Sequence, residues 1–137
     1  MAQLTAYIGL NGKCREAMEF YKECLGGELQ IMTFGDSPMG KDMPEEMKQR
    51  IMHSALIKKD FMLMASDMSY DEGYKQGNNV SLCLICSSEE EIQSLFKKLS
   101  QGGNVRRPLQ KEFFGTYGDF TDKYGFNWML QYSPENK

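Results

Sequence analysis

The sequence predicts an α+β protein in which two copies of a βαβββ unit together form a cup-shaped mixed sheet. Each half of the chain reads as a strand, an amphipathic helix, a Gly-Gly pair and three further strands. The two pairs begin at Gly26 and Gly102, which are 76 residues apart (102 − 26), and the same offset places Phe20 on Phe96. This repeat of element order and of helix terminators predicts duplication of one structural unit.

The length of 137 residues is sufficient for one domain with its own core. We expect a single domain over residues 1–137, with a first module over about 1–70 and a second over about 78–137. Each helix should pack on one face of its own four-stranded sheet. The opposite face of each sheet then becomes the candidate for a binding site.

In the first module, alternating apolar residues predict a strand over residues 3–10. Apolar residues at spacings of three and four predict a helix over 13–25. Gly26 should end this helix, because glycine adopts the left-handed conformation without steric cost. The remaining predicted elements are strands over 28–34, 51–58 and 61–66, loops over 35–44 and 67–77, and a short helical turn from Pro44.

In the second module, a strand is expected over residues 80–86. Ser88 and Glu91 have the spacing of a capping box, in which each side chain bonds a free backbone N–H of the first helical turn. An apolar stripe then predicts the helix, and its members are Ile92, Leu95, Phe96 and Leu99. The last three strands are expected around Val105, at 115–121 and at 125–132, with Asp122 shaping the final turn.

Charge and hydropathy exclude several classes of function. The net charge of −3 provides no basic surface for nucleic acid or for an anionic membrane. No apolar run approaches the roughly 18 residues of a membrane span, and the N-terminus lacks signal-peptide features, so we expect a cytoplasmic protein.

The four cysteines lie within apolar patterns and are interpreted as reduced, buried thiols: Cys14, Cys24, Cys83 and Cys86.

His53, the single histidine, is the candidate for acid–base chemistry. It lies in a predicted strand with Ala55 and Ile57 on its face. One interpretation is a general base or hydrogen-bond donor that lines the cup. The other is a partly buried histidine that holds strands together, and the sequence leaves both open. A single histidine excludes a metal site built from several imidazoles.

Three other polar or thiol groups have alternative interpretations. Cys83-x-x-Cys86 has the spacing of a redox or zinc motif, but residues three apart on a strand point to opposite faces, which favours structural thiols. Asp119 faces either the site or solvent. Arg106 and Arg107, expected on a loop, either clamp an anion or belong to ordinary surface.

Four stretches carry a family resemblance. They are GKCREAMEFY at 12–21 with Gly-Gly after it, MHSA at 52–55, Gly-Gly at 102–103 with RPL at 107–109, and FGTYGxxxDKYGFNW at 114–128. In this order they resemble PhnB-like proteins over nearly the whole chain. These form a branch of the vicinal-oxygen-chelate superfamily of glyoxalases, bleomycin-resistance proteins and dioxygenases. Some members carry a 3-demethylubiquinone-9 3-methyltransferase label.

The resemblance implies a paired βαβββ fold, often a homodimer, with a small-molecule site inside the cup. Metal-using relatives hold a divalent ion with His, Gln or Glu on the first and last strands of each module. Carried over by register, those positions fall at Thr5–Tyr7, Met64, Ser81–Cys83 and Met129. Hard divalent ions need several oxygen or imidazole donors, which hydroxyls, thioethers and a thiol do not supply. We therefore expect no metal or other cofactor.

Two functional hypotheses follow. The first is a protein that binds a small molecule in the cup, lined by Tyr7, His53, Met64, Cys83, Phe114 and Met129. Methionine suits either an adaptable pocket wall or plain core filling. The alternative is an isomerase, lyase or modifying transferase that uses His53 with an atypical or absent metal. A third option is a structural dimer. The methyltransferase label lacks support, because neither strand-to-helix turn has a glycine-rich loop.

Overall fold

The structure is a computed structural model that describes residues 2–67 and 74–134. The chain divides into two units, Met1–Lys75 and Gln76–Lys137, which we call module 1 and module 2. Each contains one four-stranded sheet, sheet 1 and sheet 2 respectively. No helix in the described residues is long and apolar enough to cross a membrane.

The described residues of module 1 form four strands, two α-helices and one 3-10 helix. In chain order the elements are β1 (Ala6–Leu10), α1 (Cys14–Leu25), β2 (Glu28–Thr33), the 3-10 helix Pro38–Asp42, α2 (Glu45–Lys48), β3 (Ile51–Lys58) and β4 (Phe61–Asp67). The strand order in sheet 1 is β1-β4-β3-β2. Strand β1 runs parallel to β4, and the other neighbours are antiparallel.

Module 2 repeats this arrangement. Its elements are β5 (Ser81–Cys86), α3 (Glu89–Leu99), β6 (Asn104–Glu112), β7 (Gly115–Thr121) and β8 (Asn127–Tyr132). The strand order in sheet 2 is β5-β8-β7-β6, with β5 parallel to β8. The prediction of an α+β fold with two βαβββ modules is therefore confirmed.

Each sheet has one face against its helix. In module 1 the apolar stripe of α1 is completely buried at Cys14, Ala17, Met18 and Tyr21. Strand residues of alternate positions are buried on the same side, among them Leu10, Leu56, Leu63 and Ala65. Burial of this apolar area supplies most of the stability of such a layer. We call the opposite face, which is turned away from the helix, the far face of each sheet.

The observed elements differ from the predicted ones in three places. Strand β1 begins at Ala6, and Leu4 before it is fully exposed. Strand β6 extends over nine residues where only a short strand around Val105 was expected. It tolerates Pro108, which has no backbone N–H, because its pairing with β7 is irregular between Arg107 and Gln110. The predicted loop over 35–44 contains the 3-10 helix. Most of the predicted loop over 67–77 lies outside the described residues.

The cap of α3 is close to the predicted one. The Ser88 side chain accepts a hydrogen bond from the Glu91 backbone N–H at 3.0 Å, as expected. The Glu91 carboxylate, however, accepts from the backbone N–H of Ser87 at 2.7 Å instead of that of Ser88. The capping box is therefore displaced by one residue on its acidic side.

Candidate functional site

The far face of sheet 1 brings together three of the predicted site residues. Tyr7 on β1 lies opposite Met64 on β4, and Met64 lies opposite Ala55 on β3. Residues opposite one another in a ladder project to the same side, as do residues two apart on one strand. His53 therefore shares this face with Tyr7 and Met64.

His53 contacts Tyr7 directly. The Tyr7 hydroxyl oxygen lies 3.3 Å from His53 Nδ1, and the two ring centroids are 5.8 Å apart. The direction of this hydrogen bond depends on the imidazole tautomer. The arrangement orients the ring of His53 and leaves Nε2 as the nitrogen not used by Tyr7. A solvent-reachable imidazole held in this way can exchange a proton with a bound molecule.

The rest of this face combines partly exposed apolar side chains with exposed Gln30 and Glu28 on β2. Tyr7 is 51% exposed, Met32 44% and Ile57 38%. Met32 pairs with His53, and Ile57 pairs with Met62 four residues further along β3, so hydrocarbon and thioether groups lie both beside the imidazole and further along the face. Methionine side chains adapt to irregular apolar shapes. The chemistry of this face therefore suits an apolar or mixed ligand.

The far face of sheet 2 carries the equivalent row of residues. Cys83 on β5 lies opposite Met129 on β8, Met129 opposite Asp119 on β7, and Asp119 opposite Arg107 on β6. Two of the predicted site residues, Cys83 and Met129, are thus neighbours. Cys83, Met129 and Asp119 correspond to Tyr7, Met64 and Ala55 of module 1. Unlike that row, the row in module 2 ends in the carboxylate of Asp119 and the guanidinium of Arg107.

A depression of about 320 Å³, which we call the hollow, lies over Met129, Asp119 and Arg107 of this row, and Cys83 is not among the residues that line it. Its size falls within the range of ligand-binding pockets. Its lining combines charged, hydroxyl and thioether groups from four strands: Ser81, Arg106, Arg107, Tyr117, Asp119 and Met129.

Asp119 is the centre of the polar network in the hollow. It is only 6% exposed, and the Tyr117 hydroxyl donates to its Oδ2 at 2.8 Å. Arg106 Nε lies 3.6 Å from Oδ1, and Arg107 Nη1 lies 3.5 Å from Oδ2. Burial, followed by the adjacent carboxylate, raises the pKa of Tyr117, so the phenol remains a protonated donor at neutral pH.

Irregular pairing explains why two consecutive arginines reach one carboxylate. Adjacent residues on a regular strand point to opposite faces. The β6–β7 register shifts between Val105 and Arg107, and again between Arg107 and Gln110. This irregularity places both guanidinium groups beside Asp119. The expected loop position of the arginines was wrong, and the sequence contained no signal for the shift.

The cysteines are free thiols, but not all of them are buried as expected. Cys14, Cys24 and Cys86 are buried, whereas Cys83 is exposed on the far face. Cys83 and Cys86 lie on opposite faces of β5, as the strand geometry predicted. Burial raises the pKa of Cys83, that of Cys14 to about 11 and that of Cys86 to about 12. These thiols are therefore protonated at neutral pH, which disfavours nucleophilic or redox chemistry.

Phe114 is not among the residues that line the hollow. It lies between β6 and β7, is 40% exposed, and packs edge-on against the fully exposed Phe113 at a centroid distance of 5.3 Å. Cys83 is likewise absent from this lining, so Met129 is the predicted wall residue of module 2 that lines the hollow.

A second depression, of about 520 Å³, lies in module 1 and was not expected from the sequence. Its lining includes Arg15 and Arg50 and the acids Glu16, Glu19, Glu46 and Asp67, drawn from α1, α2 and the strand ends. Because acids outnumber bases there, and Asp67 already accepts three backbone N–H groups, this lining does not favour an anion. The far faces, which hold the Tyr7–His53 contact and the Asp119 network, are therefore stronger candidates for a ligand site than this depression.

The metal positions implied by the resemblance do not fit a hard divalent ion. The register places Tyr7 opposite Met64 and Cys83 opposite Met129, so the donors are a phenol, two thioethers and a protonated thiol. Hard ions require oxygen or imidazole ligands. Within residues 2–67 and 74–134, no group of three or more His, Cys, Asp or Glu side chains is arranged to hold a metal.

This architecture defines a glyoxalase-fold protein. A glyoxalase, bleomycin-resistance and dioxygenase domain from Frankia shares the fold, with a TM-score of 0.63 at 14% identity over 97% of this chain and 98% of that one. The model of the 3-demethylubiquinone-9 3-methyltransferase family matches residues 2–131. The chain therefore belongs to this family, whose name is the label carried by some PhnB-like proteins, and the resemblance found in the sequence is confirmed.

Three relatives support the assignment. Protein PA1353 from Pseudomonas aeruginosa has a crystal structure with a TM-score of 0.87 and is 38% identical, over 97% of this chain and 98% of that one. A putative 3-demethylubiquinone-9 3-methyltransferase, PhnB protein, from Bacillus cereus has a TM-score of 0.76 and 27% identity, over 96% and 100%. Protein YjdN from Escherichia coli K12 is 26% identical over 136 residues, 93% of this chain and 92% of that protein.

The described residues do not form a site for S-adenosylmethionine, the methyl donor that the family's name suggests. A Rossmann-type site for S-adenosylmethionine needs a glycine-rich turn between a strand and a helix in a parallel sheet. The β1–α1 turn contains Asn11-Gly12 and the β5–α3 turn contains Ser87-Ser88. Both sheets are largely antiparallel. Neither module provides such a site.

Proposed function

We propose that this protein binds a small molecule on the far faces of its sheets, without the hard divalent ion used by metal-dependent glyoxalase-fold enzymes. The observation that supports this most strongly is the hollow, where a buried carboxylate holds two arginines and a tyrosine beside Met129. Asp119 is the buried member of this network, and burial of a carboxylate costs free energy, which favours a functional interpretation.

In this proposal Tyr7 and Met64 form the ligand wall on sheet 1, and Cys83 and Met129 form a separate ligand wall on sheet 2. Phe114, between β6 and β7, and Cys83 both lie outside the lining of the hollow, so each is proposed as a ligand contact beyond it. The homodimer implied by the resemblance is part of the same proposal. Sedimentation of the purified chain at micromolar concentration distinguishes a dimer from a monomer.

Methionine methyl NMR tests the proposed binding. The chain has 11 methionines, and labelling their methyl groups with ¹³C provides a probe on each sheet. We expect small aromatic and acidic fragments to shift the Met64 or Met129 signal, assigned through Met64→Leu and Met129→Leu variants. Met18, which is completely buried against sheet 1, is the internal control.

Two outcomes would count against this proposal. One is a screen in which no fragment shifts either methyl group at millimolar concentration. The other is a set of shifts confined to methionines away from the far faces. Either result would leave the far faces without a demonstrated ligand.

The second candidate is an enzyme that uses His53 as its acid–base residue. The contact between Tyr7 and His53 Nδ1 favours it, because a fixed imidazole orientation is needed for directed proton transfer. For a substrate found through the fragment screen, His53→Ala should lower kcat about 100-fold or more. Tyr7→Phe, which retains the ring, should have a smaller effect. Unchanged kcat in a folded His53→Ala variant would refute this role.

A further inference from the structure

The two arginines of the hollow retain unused hydrogen-bonding capacity. Their distances to Asp119, 3.6 Å from Arg106 and 3.5 Å from Arg107, exceed the 2.7–2.9 Å typical of charge-assisted hydrogen bonds. The Arg107 side chain is 75% exposed and that of Arg106 is 41% exposed. Each guanidinium has five N–H donors in a fixed plane. Asp119 therefore holds both groups in place without occupying all of their donors.

The charge balance of the hollow favours an anion. Its lining contains two guanidinium groups and one carboxylate, so one positive charge is uncompensated. The side chain of Asp119 is 8% exposed, whereas those of both arginines reach solvent. An entering molecule therefore meets the guanidinium groups, while the carboxylate lies behind them.

The neutral groups of the hollow favour an organic anion. Ser81 provides a hydroxyl group and Met129 an adaptable apolar surface. The Tyr117 hydroxyl already donates to Asp119, so its ring is held as a fixed wall. A volume of about 320 Å³ accommodates an apolar body as well as a charged group.

We propose that the hollow recognises a small organic carboxylate, with the carboxylate bound by Arg106 and Arg107 and the apolar part against Met129. The planar fork of a guanidinium matches the two oxygens of a carboxylate. This inference rests on the proposed small-molecule function and names the chemical class of its ligand. Asp119 is a positioning residue in this arrangement, since it acts through the arginines.

A matched pair of probes tests the inference. Benzoate and benzamide have nearly the same shape, and only benzoate is charged. Each is titrated into ¹³C-methyl-methionine protein at constant ionic strength, and the Met129 signal is followed. We expect benzoate to half-saturate this shift at a concentration about tenfold lower than benzamide, as charge-assisted hydrogen bonds would require.

Variants attribute the preference to the arginines. Arg106→Gln combined with Arg107→Gln should abolish the preference for benzoate. Arg107→Gln alone, which changes the more exposed side chain, should reduce it and provides the test if the double variant does not fold. Lys111→Gln is the control, because Lys111 is exposed on the same strand and pairs with Thr116 rather than with a residue of the hollow. It should retain the full preference.

The outcomes separate this inference from the proposed function. Equal binding of benzoate and benzamide, or a preference that survives in the folded arginine variants, would overturn the carboxylate assignment and leave small-molecule binding intact. If neither these probes nor any fragment shifts Met64 or Met129, the proposed function itself fails. A preference lost in the arginine variants and kept in Lys111→Gln would support the assignment.

Discussion

Replacement of Asp122 by alanine should lower the free energy of unfolding by about 3 to 5 kcal/mol. Its Oδ1 accepts the backbone N–H groups of Tyr124 at 2.8 Å and Phe126 at 3.0 Å, and its Oδ2 accepts Trp128 Nε1 at 2.8 Å. The residue is only 3% exposed. Alanine would leave these donors without the carboxylate, and an unsatisfied buried donor costs about 1 to 3 kcal/mol.

Urea unfolding followed by far-UV circular dichroism measures this loss. Asp122→Asn provides a graded comparison, because its single carbonyl oxygen can still accept from the two backbone N–H groups but cannot also serve Trp128. We expect its loss of stability to lie between those of the wild type and the alanine variant. A loss below about 1 kcal/mol for alanine would contradict the role assigned to this carboxylate.

Asp67→Ala should have a similar effect in module 1, a loss of about 3 to 5 kcal/mol. Asp67 Oδ1 accepts from the backbone N–H of Gly12 at 2.8 Å and of Cys14 at 3.0 Å, and Oδ2 accepts from that of Ile51 at 3.0 Å. The carboxylate is 3% exposed. It joins the start of α1 to the start of β3 from the end of β4, so its loss affects three elements.

Hydrogen exchange locates this effect as well as measuring it. The amides of Gly12, Cys14 and Ile51 should lose protection in Asp67→Ala. Asp60→Ala, at an exposed position between β3 and β4, is the control and should change stability by less than about 0.5 kcal/mol. Unchanged protection of the three amides would show that the backbone does not depend on the Asp67 carboxylate.

The fold was predictable because the strongest signals in this sequence are local. The glycine pairs, the apolar stripes of both helices and the turn formed by Asp122 all act over a few residues. Their repetition at a constant offset then predicted the two modules. The extent of β6 was not predictable, because a proline such as Pro108 disfavours a strand. The strand forms nevertheless because β6 pairs with β7 on both sides of Pro108.

The site was predictable only in part. Alternation on a strand places Tyr7 with Met64, and Cys83 with Met129, once the pairing register is known. The sequence left the register of the first strand uncertain by one residue, and in the structure Tyr7 is the residue opposite Met64. The contact of Tyr7 with His53 and the convergence of two arginines on Asp119 depend on side-chain reach and on an irregular register, neither of which has a sequence signature.

The two modules also show how a repeated framework acquires different chemistry. Met64 lies opposite Ala55 in module 1, while the equivalent Met129 lies opposite Asp119 in module 2. A methyl group at this position continues an apolar face. A carboxylate at the same position organises the arginines into a polar hollow. Gln30 pairs with Ala55 in module 1 where Arg107 pairs with Asp119 in module 2, so the guanidinium as well as the carboxylate distinguishes the two far faces.

The most direct test of binding without a hard metal is the fragment titration in two conditions, first with EDTA and then with one equivalent of Mn²⁺. Mn²⁺ is paramagnetic and broadens the signals of nearby methyl groups. We predict that fragments shift Met64 or Met129 equally in both conditions, and that Mn²⁺ broadens neither signal more than that of buried Met18. Selective broadening of Met64 or Met129 by stoichiometric Mn²⁺, or fragment binding that requires the ion, would contradict the proposal.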